Sequence, residues 1–187
     1  MKRLIKKIVS TVLACAVMAG MTQGMVFAAG DTIYVDSKAS SEGADGSAGK
    51  PYTSIQTALA AAEAGDTIVL GTDIALTQAV TINQGITIDG ADNTITANFS
   101  GNVFTITAND VTIKNLTVDG TTTAKHAINV YKSTGVNLEN VSMERMKGLG
   151  LLVNASEVTV TGKLTLDNNG WGNVINVGWG ENIKGVT

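Results

Sequence analysis

The sequence predicts an all-β fold, a solenoid in which each coil contributes three short strands. The composition favours strands and tight turns, because 21 of the 187 residues are Gly and only 4% are aromatic. Apolar residues alternate with Thr, Ser, Asn or charged residues in short runs, which is the period of a half-buried strand. These runs return at a regular interval along the chain, and that regularity indicates stacked coils.

A Gly or Asn occupies the same position in five successive repeats, two residues after an apolar run. The intervals between these positions are 25, 25, 22 and 23 residues, and one residue inserted near Lys163 distinguishes the fourth repeat. Gly and Asn enter the left-handed backbone region at the lowest cost, so we expect a sharp corner at each position. The corner residues are Gly90, Asn115, Asn140, Gly162 and Gly185.

Each repeat contains three runs of β type, which in the second repeat are residues 111–114, 116–119 and 127–131. Each strand is expected to pair with its equivalent in the next coil, about 4.8 Å away. An antiparallel sandwich is the alternative fold, but it needs hairpin turns and no regular repeat. The inward side chains of a solenoid stack in columns, and one predicted column contains Ile88, Ile113, Leu138, Val160 and Ile183.

Residues 1–28 are predicted to be a secretory signal peptide. A basic start is followed by an apolar run and then by residues 26–28, which suit cleavage after Ala28 or Ala29. The apolar run is shorter than the roughly 20 residues that a spanning helix needs, which favours a cleaved signal peptide over a membrane anchor. We therefore expect no membrane span once the signal peptide is removed. Secretion to the medium or to a bacterial cell surface is therefore expected.

Removal of this segment would change the charge and the cysteine content. It takes away Cys15 and four basic residues, leaving 9 basic against 16 acidic residues and a net charge of −7. A chain without cysteine has no disulfide, thiolate nucleophile or Cys-bound metal. The acidic surface argues against nucleic acid as a partner, because nucleic-acid binding needs basic patches.

Residues 53–65 are predicted to form a helix that caps the first coil. Ser54 or Thr53 suits the N-cap, and Gly65 is a natural stop. An extended segment, residues 29–52, leads into this helix, and residues 66–187 form the coils. The last residues begin another strand without a second cap, so we expect an uncapped C-terminal end in an apparently truncated chain. The apolar stripe of the helix consists of Ile55, Ala58, Leu59 and Ala62.

Four N-terminal stretches resemble the first segment of secreted bacterial parallel β-helix proteins: residues 33–36, 42–52, 54–59 and 64–68. These proteins belong to the pectin-lyase-like superfamily, and the resemblance covers about residues 31–187. The aromatic-poor, Thr- and Asn-rich coils are most similar to pectate-lyase-like adhesive modules of bacterial surface proteins. The resemblance implies a right-handed parallel β-helix. It implies either a polysaccharide lyase or glycoside hydrolase, or a non-catalytic adhesive module.

A lyase of this superfamily would need a cation, usually calcium, to neutralise the substrate carboxylate, and a base to remove a carbon-bound proton. Asp89, Asp92 and Asp119 are the candidate calcium ligands, although Asp-Gly at 89 and 119 also fits solvated turns. Arg145 and Lys147 could clamp a carboxylate, or they could form an exposed loop. We therefore predict no catalytic residue and no metal site in this chain.

Three other polar residues remain without a motif. Glu139 and Glu144 match the paired carboxylates of a hydrolase by type alone. His126 is the sole histidine, and a histidine without a Ser, Cys or metal-ligand cluster specifies no chemistry. A place at a loop or strand edge is the expectation for it.

Trp171 and Trp179 are the candidate ligand-binding residues. An exposed indole can stack on a sugar ring, whereas packing between coils is the alternative role for both residues. The sequence therefore favours a secreted or cell-surface module for adhesion or glycan contact, non-catalytic within this chain, with extracellular polysaccharide as partner. The alternative function is a calcium-dependent pectate-type lyase, acting by β-elimination, or a related glycoside hydrolase with an active site partly beyond residue 187.

Overall fold

The computed structural model of the protein describes residues 30–172, 176–177 and 182–184. These residues form a parallel β-solenoid of about four turns with one short N-terminal helix, which confirms the predicted all-β solenoid. The predicted signal peptide, the predicted corner Gly185 and the candidate Trp179 lie outside the described residues.

The described residues contain one helix, α1 (Ile55–Ala61), and fourteen strands. The strands are β1 (Thr32–Val35), β2 (Thr67–Leu70), β3 (Ile74–Leu76), β4 (Val80–Ile82), β5 (Thr87–Asp89), β6 (Thr94–Ala97), β7 (Asn102–Ile106), β8 (Thr112–Asp119), β9 (His126–Tyr131), β10 (Val136–Glu144), β11 (Leu151–Asn154), β12 (Glu157–Asp167), β13 (Asn176–Val177) and β14 (Asn182–Lys184).

The strands form two sheets, and within each sheet every pair of neighbouring strands is parallel. The larger sheet has the order β1-β2-β5-β8-β10-β12-β14, with β6 pairing both β3 and β8. The smaller sheet has the order β13-β11-β9-β7-β4. Consecutive members of each order come from successive coils, so each strand pairs with its equivalent one coil away, as predicted.

The core is a set of aliphatic columns between the sheets. The predicted column is present, and its members from Ile88 to Val160 are buried and paired in register. Ile183 is the exception, because it pairs with Val158 rather than Val160. A shift of two residues preserves the alternation of faces, so the sequence pattern alone does not reveal it. The observed column is Ile33, Ile68, Ile88, Ile113, Leu138 and Val160.

Three of the predicted corners lie inside continuous strands. β8, β10 and β12 each join two predicted runs through a residue of positive φ: 49° at Asn115, 52° at Asn140 and 65° at Gly162. Gly90 differs, because the positive φ values at this corner belong to Ala91 and Asp92. Glycine is needed at 90 for close approach, since a Cβ there would lie 2.3 Å from the Asn115 carbonyl oxygen.

The insertion predicted near Lys163 is a β-bulge between β10 and β12. Leu138 pairs with Val160, but Val141 pairs with Leu164, so the offset grows by one residue between the two pairs. The bulge lies at the corner, where the extra residue leaves both flanking ladders in register.

Helix α1 has Ser54 of the two predicted N-caps and ends before Gly65. Of the predicted stripe, Ile55 and Ala58 are buried within the helix, Leu59 is partly buried, and Ala62 is buried just past the helix end. The Ser54 hydroxyl accepts a hydrogen bond from the Thr57 N–H at 3.2 Å, and Ala62 is already extended. The Gln84 side-chain amide donates to the carbonyls of Leu59 and Ala62, which ties the end of the helix to the coil below. In the part of the chain that the structure describes, no helix has the length and apolar character needed to cross a membrane.

Candidate functional site

Trp171 is the most exposed large apolar side chain of the described residues, with 62% of its surface accessible. Its indole meets the His126 ring edge to face, with ring centroids 5.3 Å apart and planes at 73°. The Lys125 ammonium lies 5.9 Å from the indole centroid, within the range of a cation–π contact. We call this group, Lys125, His126, Gly148, Leu149 and Trp171, the Trp171 corner.

The corner contains residues from three successive coils. The Gly148 N–H donates to the Lys125 carbonyl at 2.8 Å, and the Trp171 N–H donates to the Gly148 carbonyl at 3.1 Å. Gly148 in the middle coil has no side chain, and a Cβ there would lie 2.8 Å from the His126 Cε1 atom. The indole and imidazole therefore meet across the coil that contains the glycine.

His126 is buried in the neutral form. Its Nδ1 accepts a hydrogen bond from the Leu149 N–H at 2.9 Å, so the ring proton is on Nε2. Burial, together with the charge of Lys125, lowers the pKa of His126 below its ordinary value of 6.5. The imidazole is thus a fixed, uncharged support for the exposed indole at neutral pH.

The other end of β9 has a second exposed aromatic residue. Tyr131, the last residue of β9, is 45% exposed, and the Lys132 ammonium lies 5.1 Å from its ring centroid. Five residue steps at about 3.3 Å separate the two ends of the strand, a distance of about 16 Å. Each end of β9 therefore presents an aromatic ring beside a lysine ammonium.

Between these ends, the outer face of the smaller sheet is mainly polar. Thr81, Thr105, Asn129 and Leu152 are paired in register on β4, β7, β9 and β11. The Asn154 amide donates to the Asn129 side-chain oxygen at 2.9 Å, which holds the Asn129 amide in place. Hydroxyl and amide groups in such a row can exchange hydrogen bonds with a polyhydroxylated ligand.

Asp89 is held by groups of its own coil and the next. Its carboxylate accepts hydrogen bonds from the Ala91 N–H and the Asn115 amide and forms an ion pair with Lys114 at 3.2 Å. Burial raises the pKa of Asp89, but the hydrogen bonds and the Lys114 charge together bring the pKa below its ordinary value of 3.8. The group remains ionised and partnered within the protein.

Asp119 is engaged by Arg145. The guanidinium binds both carboxylate oxygens, one of them through its Nε at 2.9 Å, and the Thr121 N–H donates to the same carboxylate. The Asp119 carboxylate is buried, and Arg145 has a positive φ of 54°. The arginine considered as a substrate clamp thus forms a bidentate pair with one of the candidate calcium ligands.

The structure does not bring the candidate calcium ligands together. Asp89 and Asp119 have separate protein partners, and Asp92 lies in the turn between β5 and β6. Among the residues that the structure describes, no group of three or more His, Cys, Asp or Glu side chains could hold a metal ion. Glu144 pairs in register with Asp119, while Lys147 is exposed.

Sequence reasoning singled out Trp171 but missed its partners Lys125 and His126 and the second ring, Tyr131. The repeat contained a usable signal, because Lys125, Gly148 and Trp171 are spaced by 23 residues. A residue that recurs at the coil interval lies directly above its equivalent, so this spacing places Trp171 over Lys125 with a glycine between them. Trp179, the other predicted ligand-binding residue, lies outside the described residues.

Comparisons with protein-family models, with curated proteins and with solved structures gave no match for this chain.

Proposed function

We propose that this protein is a secreted or cell-surface β-helix module of the pectin-lyase-like superfamily that contacts extracellular polysaccharide without catalysis. The observation that carries the proposal is the exposed indole of Trp171, supported by a buried imidazole and flanked by a lysine. A protein exposes a large aromatic ring at a cost, because its apolar surface remains in water. Binding to the apolar face of a sugar ring would recover that cost.

The ligand is a chain of sugars rather than a single sugar. Trp171 contacts His126, the first residue of β9, and Tyr131 is exposed at the last residue of the same strand, whose neighbours in the smaller sheet have polar outer groups. Strand β9 is about 16 Å long, and exposed rings near both of its ends suit an extended polysaccharide rather than one sugar unit. Contacts at several points along one sugar chain would give adhesion through repeated weak interactions, which fits a surface module.

Retention of the secreted chain on immobilised pectate, alginate, glycosaminoglycans and cellulose tests this proposal. Trp171→Ala should lower retention on the best polysaccharide roughly tenfold, which corresponds to about 1.4 kcal/mol. Trp171→Phe, which keeps an aromatic face, should retain most of the binding, and circular dichroism should show that both variants fold. If wild type binds none of the four, or if Trp171→Ala binds as well as wild type, the proposal is wrong.

The same samples test the lyase alternative. β-Elimination by a lyase would produce unsaturated sugars that absorb in the ultraviolet. A non-catalytic module should therefore give no rise in ultraviolet absorbance when it is incubated with calcium and each polyuronate. A rise in absorbance that depends on the protein would replace the adhesive proposal with the enzymatic one.

A further inference from the structure

We infer that His126 makes polysaccharide contact at the Trp171 corner dependent on pH, so that the corner binds at neutral pH and releases in mild acid. This inference rests on the proposed function and adds its regulation. The reason lies in the hydrogen bond that orients the imidazole and in the absence of compensating negative charge around it in the described structure.

Nδ1 of His126 can accept the Leu149 N–H only while it has no proton. Protonation would place two N–H groups face to face at a distance of 2.9 Å, which would break the hydrogen bond. Leu149 and His126 are both buried, so the orphaned Leu149 N–H would have no ready access to water. The protonated ring therefore has to move, and the indole that rests on it loses its support.

Among the described residues, no carboxylate is paired with His126 to stabilise an imidazolium ion. Lys125, the preceding residue, adds a like charge. The neighbours from the other elements are neutral: Asn102 of β7 pairs with His126, Leu149 and Gly148 come from the next coil, and Trp171 comes from the coil beyond. Lys147, near Leu149 in the chain, is another cation and is exposed. Burial and the Lys125 charge therefore oppose protonation of the imidazole.

The sign of the effect follows from these contacts. Burial and Lys125 lower the pKa of His126 in the folded corner, whereas the ordinary value of 6.5 applies when the corner opens. The open form then binds the proton more tightly than the closed form, so the corner is fully formed above pH 6.5. As the pH falls from 6.5 through the lower pKa of His126 in the closed corner, the ratio of closed to open corners falls. The total fall is about tenfold for each unit between the two pKa values.

A titration of the intact protein tests the switch directly. His126 is the sole histidine, so its imidazole signals in an NMR titration are unambiguous. We expect a midpoint below 6.5 and a simultaneous shift of the Leu149 amide signal. In a Trp179→Phe background, acrylamide quenching of Trp171 fluorescence should change over the same pH range. An imidazole that titrates at 6.5 or above, or quenching that is constant between pH 7.5 and 5, would overturn the inference.

His126→Asn is the matched variant, because its amide oxygen can accept the Leu149 N–H but does not titrate. The wild type should lose retention on pectate and alginate between pH 7.5 and 5, and His126→Asn should keep the same retention at both values. His126→Gln is a second non-titrating variant if His126→Asn folds poorly. Equal losses in wild type and variant would assign the effect to the ligand and refute the switch.

Retention at the two pH values separates the pH switch from the adhesive function itself. Wild-type retention that is equal at pH 7.5 and 5 contradicts the switch and leaves adhesion supported. An absence of retention at both values contradicts adhesion, and with it the regulation of adhesion. The NMR and quenching data then still report whether the Trp171 corner opens in acid.

Discussion

Asn140 and Gly162 occupy equivalent corners of successive coils and meet the same backbone requirement in different ways. Both have a positive φ, 52° and 65°, which glycine adopts freely and asparagine adopts at a small cost. Asn140 offsets that cost with its side chain, which accepts the Lys163 N–H at 3.1 Å and donates to Asn115 at 3.3 Å. The asparagine amides thus link neighbouring coils along this edge of the rod.

Two substitutions at Asn140 separate the backbone effect from the amide effect. Asn140→Gly keeps the backbone conformation but removes the two hydrogen bonds, and it should lower the free energy of unfolding by about 1 kcal/mol. Asn140→Ala removes the bonds and adds left-handed strain, and it should cost about 1 kcal/mol more than the glycine variant. Urea unfolding of the three proteins measures both differences. Equal stability of the two variants would show that φ at this corner relaxes freely.

Individual strands show how much the sequence predicts and where prediction fails. The alternation of apolar residues identified the strands, the inward columns and the bulge near Lys163, because burial on one face leaves a period of two. It missed the continuity of β8, β10 and β12, since a corner residue of positive φ can turn a strand without ending its hydrogen-bonded ladder. It also missed the contact between His126 and Trp171, which joins residues 45 positions apart and depends on a glycine in the coil between them.

Helix α1 offers a test at the scale of one element. Its seven residues are too few to be stable alone, so the cap and the buried stripe have to hold it. Ser54→Ala removes the acceptor of the Thr57 N–H and should lower the free energy of unfolding by about 1 kcal/mol. Thr53→Ala is the matched control, because Thr53 was the alternative N-cap and should be nearly neutral. A larger loss at Thr53 than at Ser54, measured by thermal unfolding, would place the cap one residue earlier.

The whole molecule is a stack in which each coil contacts chiefly its neighbours. Sites on such a rod are assembled from successive coils, as the Trp171 corner shows with residues from three of them. The same arrangement separates Asp89 from Asp119, since each carboxylate is neutralised by a cation from its next coil. In the described coils these two carboxylates are therefore held in separate ion pairs at different levels of the stack.

Loss of one buried layer should weaken the rod on both sides of the change. Ile113 is fully buried between Ile88 and Leu138 in the central column, so Ile113→Ala should cost about 2–5 kcal/mol. Because stability in a solenoid depends on nearest-neighbour interfaces, amide hydrogen exchange should accelerate first in β5, β8 and β10. The adjacent Thr112→Ala, on the outer face of the same strand, should change stability by less than about 0.5 kcal/mol. Uniform acceleration from β1 to β12 in Ile113→Ala would show instead that the described coils unfold as a single cooperative unit.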